Sequence, residues 1–145
     1  MEEWKSLVKA EFCIEGKSID VDAITELLGL KPNESFNRNG SNVSFPISKK
    51  IGRWEIATKY EISSNSHKQL LKLIRKLSSK KKELKQIKKK WKCDFVFSLV
   101  IEIYDSQCPA VYLEEKDIEF FHEIAAFYDV DLYYMGEYEE KCLKK

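Results

Sequence analysis

The sequence predicts an α+β domain, a mostly antiparallel sheet with its helices packed on one face. Three observations lead there. Apolar and polar residues alternate with a period of two at 8–15 and again at 53–62. Between and after these runs, leucines and isoleucines recur at three- and four-residue spacing, the period of a helix. A nearly unbroken apolar run from Cys93 to Tyr104 then reads as an interior strand. At 145 residues the chain is expected to form one domain, with its core at about 7–135 and a charged tail at 136–145. A domain of that size buries about 70% of its unfolded surface and needs no disulfide or metal staple.

The elements follow in order. Val8, Ala10, Phe12 and Ile14 form the buried face of the first strand, opposed by Lys9, Glu11, Cys13 and Glu15 on the wet face. Asp20 caps a helix whose Ile24, Leu27 and Leu28 turn inward; Gly29 ends it and Pro32 prevents its resumption. Residues 31–50, rich in Asn, Ser, Gly and Lys, read as a loop with one or two short strands. Trp54, Ile56, Tyr60 and Ile62 then define a second half-exposed strand. The Ser63–Ser66 run breaks it and offers a cap to a long leucine-spaced segment.

One continuous helix through Trp91 would be roughly 37 Å long, about the width of the domain. A break near Ser78-Ser79 is therefore expected, leaving one helix on the sheet and a shorter lysine-rich one. In the strand that follows, Phe95, Phe97, Leu99, Ile101 and Ile103 line one face. A short strand at 110–113 and a helix with Ile118, Phe121, Ile124, Ala125 and Tyr128 inward come next. Val130, Leu132 and Tyr134 close the core.

Ile19-Asp20 before Ile24 and Leu27 is echoed by Leu113-Glu114 before Ile118 and Phe121. The echo predicts two strand–helix–strand halves on one sheet, of ferredoxin-like character.

Ile19-Asp20, Ile24, Leu27-Leu28-Gly29-Leu30-Lys31-Pro32, Gly40 and Gly52-Arg53-Trp54-Glu55-Ile56, in that order, resemble a bacterial family, domain of unknown function 4279 (DUF4279). The similarity spans about residues 8–135. Two departures stand out: Arg38-Asn39-Gly40-Ser41 replaces a Lys-Gly-Asp-like turn, and the region before the central strand is richer in lysine. The resemblance implies a compact cytosolic α+β domain without an established activity. Small families of this kind often sit among bacterial immunity or conflict proteins.

Charge is the other strong signal. Twelve of the 25 basic residues fall between Lys68 and Lys92 against one acid, Glu83, whereas 94–140 carries thirteen acids and one base, Lys116. The net charge of +1 hides this separation. Lys85, Lys88, Lys89 and Lys92, with Trp91 as an apolar anchor and Arg38 in the loop, are the expected partner-binding residues. They suit an acidic protein partner, with nucleic acid as the alternative; a solvated helix face whose lysine stems cover apolar positions has the same pattern. A small-ligand sensor with the 33–41 loop as lid is a further option.

Catalytic signals are weak. Cys13, Cys93, Cys108 and Cys142 are scattered and expected as reduced thiols, and His67 and His122 belong to no recognisable triad or zinc motif. Glu119 and His122 have metal-site spacing but no facing set of ligands. The five glycines form no phosphate loop. No cofactor, no metal and no membrane span are expected, and the start of the chain has no signal architecture. The expectation is a non-enzymatic cytoplasmic binding protein, of immunity or inhibitor type.

Overall fold

The computed structural model describes residues 3–37 and 51–139. The chain runs β1 (Leu7–Gly16), α1 (Val21–Leu28), β2 (Glu34–Phe36), β3 (Gly52–Ala57), β4 (Glu61–Ile62), α2 (His67–Leu77) and α3 (Lys81–Trp91). It continues with β5 (Asp94–Tyr104), α4 (Glu115–Glu123) and β6 (Ala126–Gly136). The sheet order is β2-β3-β1-β5-β6, with β4 pairing the start of β1. All pairings are antiparallel except β5–β6. The α+β class is as the sequence predicts.

Period-two patterning decides the layers. Val8, Ala10, Phe12 and Ile14 meet Trp54, Ile56, Phe95, Phe97, Leu99 and Ile101 in one core under the helices. Phe97 anchors it, its ring stacked 4.4 Å from Phe121 and tilted against Phe12 at 4.7 Å. The Trp54 indole is fully buried and donates to Thr25 Oγ1 at 2.9 Å. The α1 signals hold in detail. Asp20 Oδ1 accepts from Ala23 N at 3.1 Å, and Gly29 takes the left-handed conformation (φ 63°) that a side chain would resist. The leucine-spaced segment breaks at a 3-10 turn, Ser78–Lys80, although the two helices it separates are of equal length, 11 residues each.

Other expectations are corrected. Residues 110–113 form no strand; Ala110 makes an isolated bridge to Asn65. The 53–62 run splits into β3 and β4, and Ile62 is exposed. Leu27 also lies out of the core, because the eight-residue α1 turns Val21, Ile24 and Leu28 inward and leaves Leu27 on its flank.

The last helix is rotated relative to the expected stripe. Asp117, Phe120, Phe121 and Ile124 point inward and Ile118 is 55% exposed: the two phenylalanines and Ile124 form the apolar stripe, and Asp117 on the same side meets a histidine. Ala125 and Tyr128 lie beyond the end of α4. Leu132 and Tyr134, expected in the core, are 56% and 72% exposed. A helix of nine residues spans about 14 Å, whereas the 11-residue β6 spans about 36 Å. Helix α4 cannot cover the strand it serves.

Candidate functional site

The basic segment forms a stripe on the helical layer. In α3, Leu84 and Ile87 are buried, so Lys82, Lys85, Gln86 and Lys89 share the outward face at three- and four-residue spacing, all exposed. Lys72 pairs with Glu61, and Lys81 with Glu123 at 3.1 Å. Lys82, Lys85 and Lys89 form no ion pair among the described residues. Lys92 follows in a left-handed conformation (φ 49°), also exposed.

Trp91 is half-buried against the core, with the Lys90 ammonium 4.8 Å from its ring centre. Together with Lys17, Glu15, Asp94 and Lys92 it lines an open cleft of about 400 Å³. Lys85 and Lys89 thus share the outer face of α3, whereas Trp91 and Lys92 lie at its C-terminal end beside the cleft. Lys88 turns inward instead. Its ammonium donates to Ala125 O at 2.5 Å and lies 4.4 Å over the Phe95 ring, and burial lowers its pKa. It fastens α3 to the α4–β6 junction. Arg38 lies outside the described residues.

The opposite face of the sheet is acidic. Register places Glu55, Cys13, Val96 and Phe127 in one row, and Glu11, Ser98 and Asp129 in the next. Glu11, Cys13 and Glu55 bring three potential ligand atoms within 4.8 Å of one another. A guanidinium already serves them. Arg53 bonds Glu15 at 2.5 Å and Glu55 at 2.8 Å and lies 4.0 Å from Glu11, while Lys9 holds Glu11 at 2.8 Å. Cys13, placed by its period on the wet face, is buried there beneath these charged neighbours and donates to Glu55 Oε1 at 3.4 Å. Burial pushes its thiol pKa well up, away from the thiolate a soft metal would need. These residues fit a closed ion-pair network better than a cation site.

Burial also pushes the Cys93 thiol up to about 11, and its sulfur lies 3.9 Å from Ile87 O. Cys108 is exposed. In the folded protein, alkylation near neutral pH should therefore modify Cys108 more than about tenfold faster than Cys13 or Cys93. Peptide mass spectrometry with and without denaturant reads this; equal rates in the folded state would contradict the burial argument.

One constellation had no signal in the sequence. His67 Nε2 lies 2.6 Å from Asp117 Oδ2, fifty residues away, and both side chains are 3% exposed. The same Asp117 oxygen accepts from Glu114 N at 2.8 Å, and the Tyr112 ring stacks on the imidazole at 4.7 Å. The pair is sealed from solvent, which makes it a clasp between the starts of α2 and α4 and gives no substrate access to it. Of the pair read as spaced for a metal, Glu119 and His122 are both exposed.

The fold and its surfaces define a two-layer α+β domain whose charges are sorted between a basic helical ridge and an acidic sheet face. The chain belongs to the family described as domain of unknown function (DUF4279), whose profile matches residues 4–135. Comparison with curated proteins and with solved structures returns no match. Among the described residues, no helix is long and apolar enough to cross a membrane.

Proposed function

We propose that this chain is a non-enzymatic, cytosolic binding protein that recognises an acidic surface on a protein partner through the α3 ridge, as an immunity or inhibitor protein would. The observation supporting this reading is that Lys82, Lys85 and Lys89 are exposed and form no ion pair among the described residues. Lysines recruited for internal stability would pair or pack, as Lys72, Lys81 and Lys88 do. Long-range steering by such a ridge accelerates encounter, and the half-buried Trp91 beside Lys92 offers an apolar contact at its end.

The test uses the triple variant Lys82→Glu, Lys85→Glu, Lys89→Glu with labelled polyglutamate and with DNA and RNA oligonucleotides. Wild type should bind polyglutamate, and charge reversal should slow association about tenfold or more while circular dichroism stays unchanged. Tighter binding of the oligonucleotides, weakening steeply as salt rises, would replace the protein partner by nucleic acid. Equal binding by wild type and variant would remove the ridge from the function.

A further inference from the structure

The two ends of the sheet are unlike. At one end lies β2, three residues long. At the other lies β6, 11 residues long and paired with β5. Proteins usually protect such an edge with Lys, Pro, shortness or a covering element. The β6 sequence from Ala126 to Gly136 contains no Lys, Arg or Pro. It exposes large apolar side chains instead: Phe127 at 61%, Leu132 at 56%, Tyr133 at 52%, Tyr134 at 72% and Met135 at 39%. Among the described residues no strand pairs with its outer side.

We propose that the outer edge of β6 is a docking site for an extended segment of another protein, one that alternates basic and apolar residues and adds to the sheet as a further strand. Pairing between edges supplies main-chain hydrogen bonds, and side chains on alternating faces set the specificity. Asp129 and Asp131 project on the open face, in rows with Ser98 and Val100. No base of β5 or β6 neighbours them. Lys9, at the far end of the Asp131 row, pairs with Glu11. Burial raises the Asp131 pKa, and the neighbouring Asp129 and Glu11 add to the rise. Beyond the strand come Glu137 and Glu139.

On the other face, Val130, Leu132 and Tyr134 present an apolar row. An incoming strand with Lys or Arg on the first face and apolar residues on the second is complemented on both. A second copy of this chain docking through the same edge would bring the same aspartates to the joint from both sides. The acids therefore disfavour self-pairing. This site lies at the sheet edge and does not depend on the lysine ridge.

The experiment uses the full chain and a fluorescent peptide of alternating Lys and Val, with a peptide of alternating Glu and Val as control. Anisotropy should show binding of the Lys-Val peptide alone, weakened about tenfold by Asp129→Asn with Asp131→Asn and comparably by the exposed substitution Tyr134→Lys. Hydrogen exchange should slow in the amides of Ala126–Gly136 on binding. No binding, equal binding of both peptides, or protection confined to other elements would overturn the proposal. So would light scattering that shows a dimer of the chain lost on Tyr134→Lys.

Discussion

Asp117→Ala is expected to lower the unfolding free energy by about 4 kcal/mol, through a lost helix cap and a buried imidazole left unsatisfied, the largest single effect foreseen for this domain. The carboxylate makes two bonds from a position 2% exposed, one to His67 Nε2 and one to the Glu114 backbone. Its loss leaves the imidazole buried without an acceptor and removes half of the capping box that starts α4. Asp117→Asn keeps one acceptor oxygen and should cost roughly half as much. Urea unfolding read by tryptophan fluorescence measures both. A loss below about 1 kcal/mol for Asp117→Ala, the range of an exposed residue, would show that the clasp does not hold the two helices.

Arg53→Leu comes second, at about 3 kcal/mol. Removing one member of a fully buried ion pair costs about 3–5 kcal/mol, and the lower end applies because the Arg53 side chain remains 29% exposed. Without it, Glu15 and Glu55 lose their counter-ion, and Lys9 alone is left to serve Glu11. The companion variant Arg53→Leu with Glu55→Gln should recover about 1–2 kcal/mol, since it removes a charge left without its partner. Additive losses in that double variant would mean that Arg53 contributes by packing its stem and not by neutralising the acids.

Several elements were legible because their causes are local. The alternation in β1 and β5, the Asp20 cap, the left-handed Gly29 and the break after Leu77 each rest on residues within a few positions of one another. The basic segment was legible as a charge run, but which of its lysines face solvent was not read from it. Lys88 follows the buried Leu84 by one helical turn and so lies toward the core, where it meets Ala125 O, 37 positions away.

The misplaced residues share a different cause. Ile118, Leu132 and Tyr134 look like core residues by type and spacing, yet whether a face is buried depends on what lies above it. Cys13 shows the converse, a wet-face position closed over by Arg53 and its carboxylates. The phase of α4 follows the buried Phe120, Phe121 and Ile124, with Asp117 on the same side meeting His67 and Ile118 left outside.

By itself the sequence determined the α+β class, the ends of α1, the break after Leu77 and the sorting of charge along the chain, because periodicity, caps and charge runs act over a few residues. Only the tertiary structure decided that β6 pairs parallel to β5 at one end of the described sheet, that Cys13 is covered and that His67 meets Asp117. Those outcomes depend on which distant surfaces remain to cover one another once the local elements have formed, and no short stretch of chain carries that information.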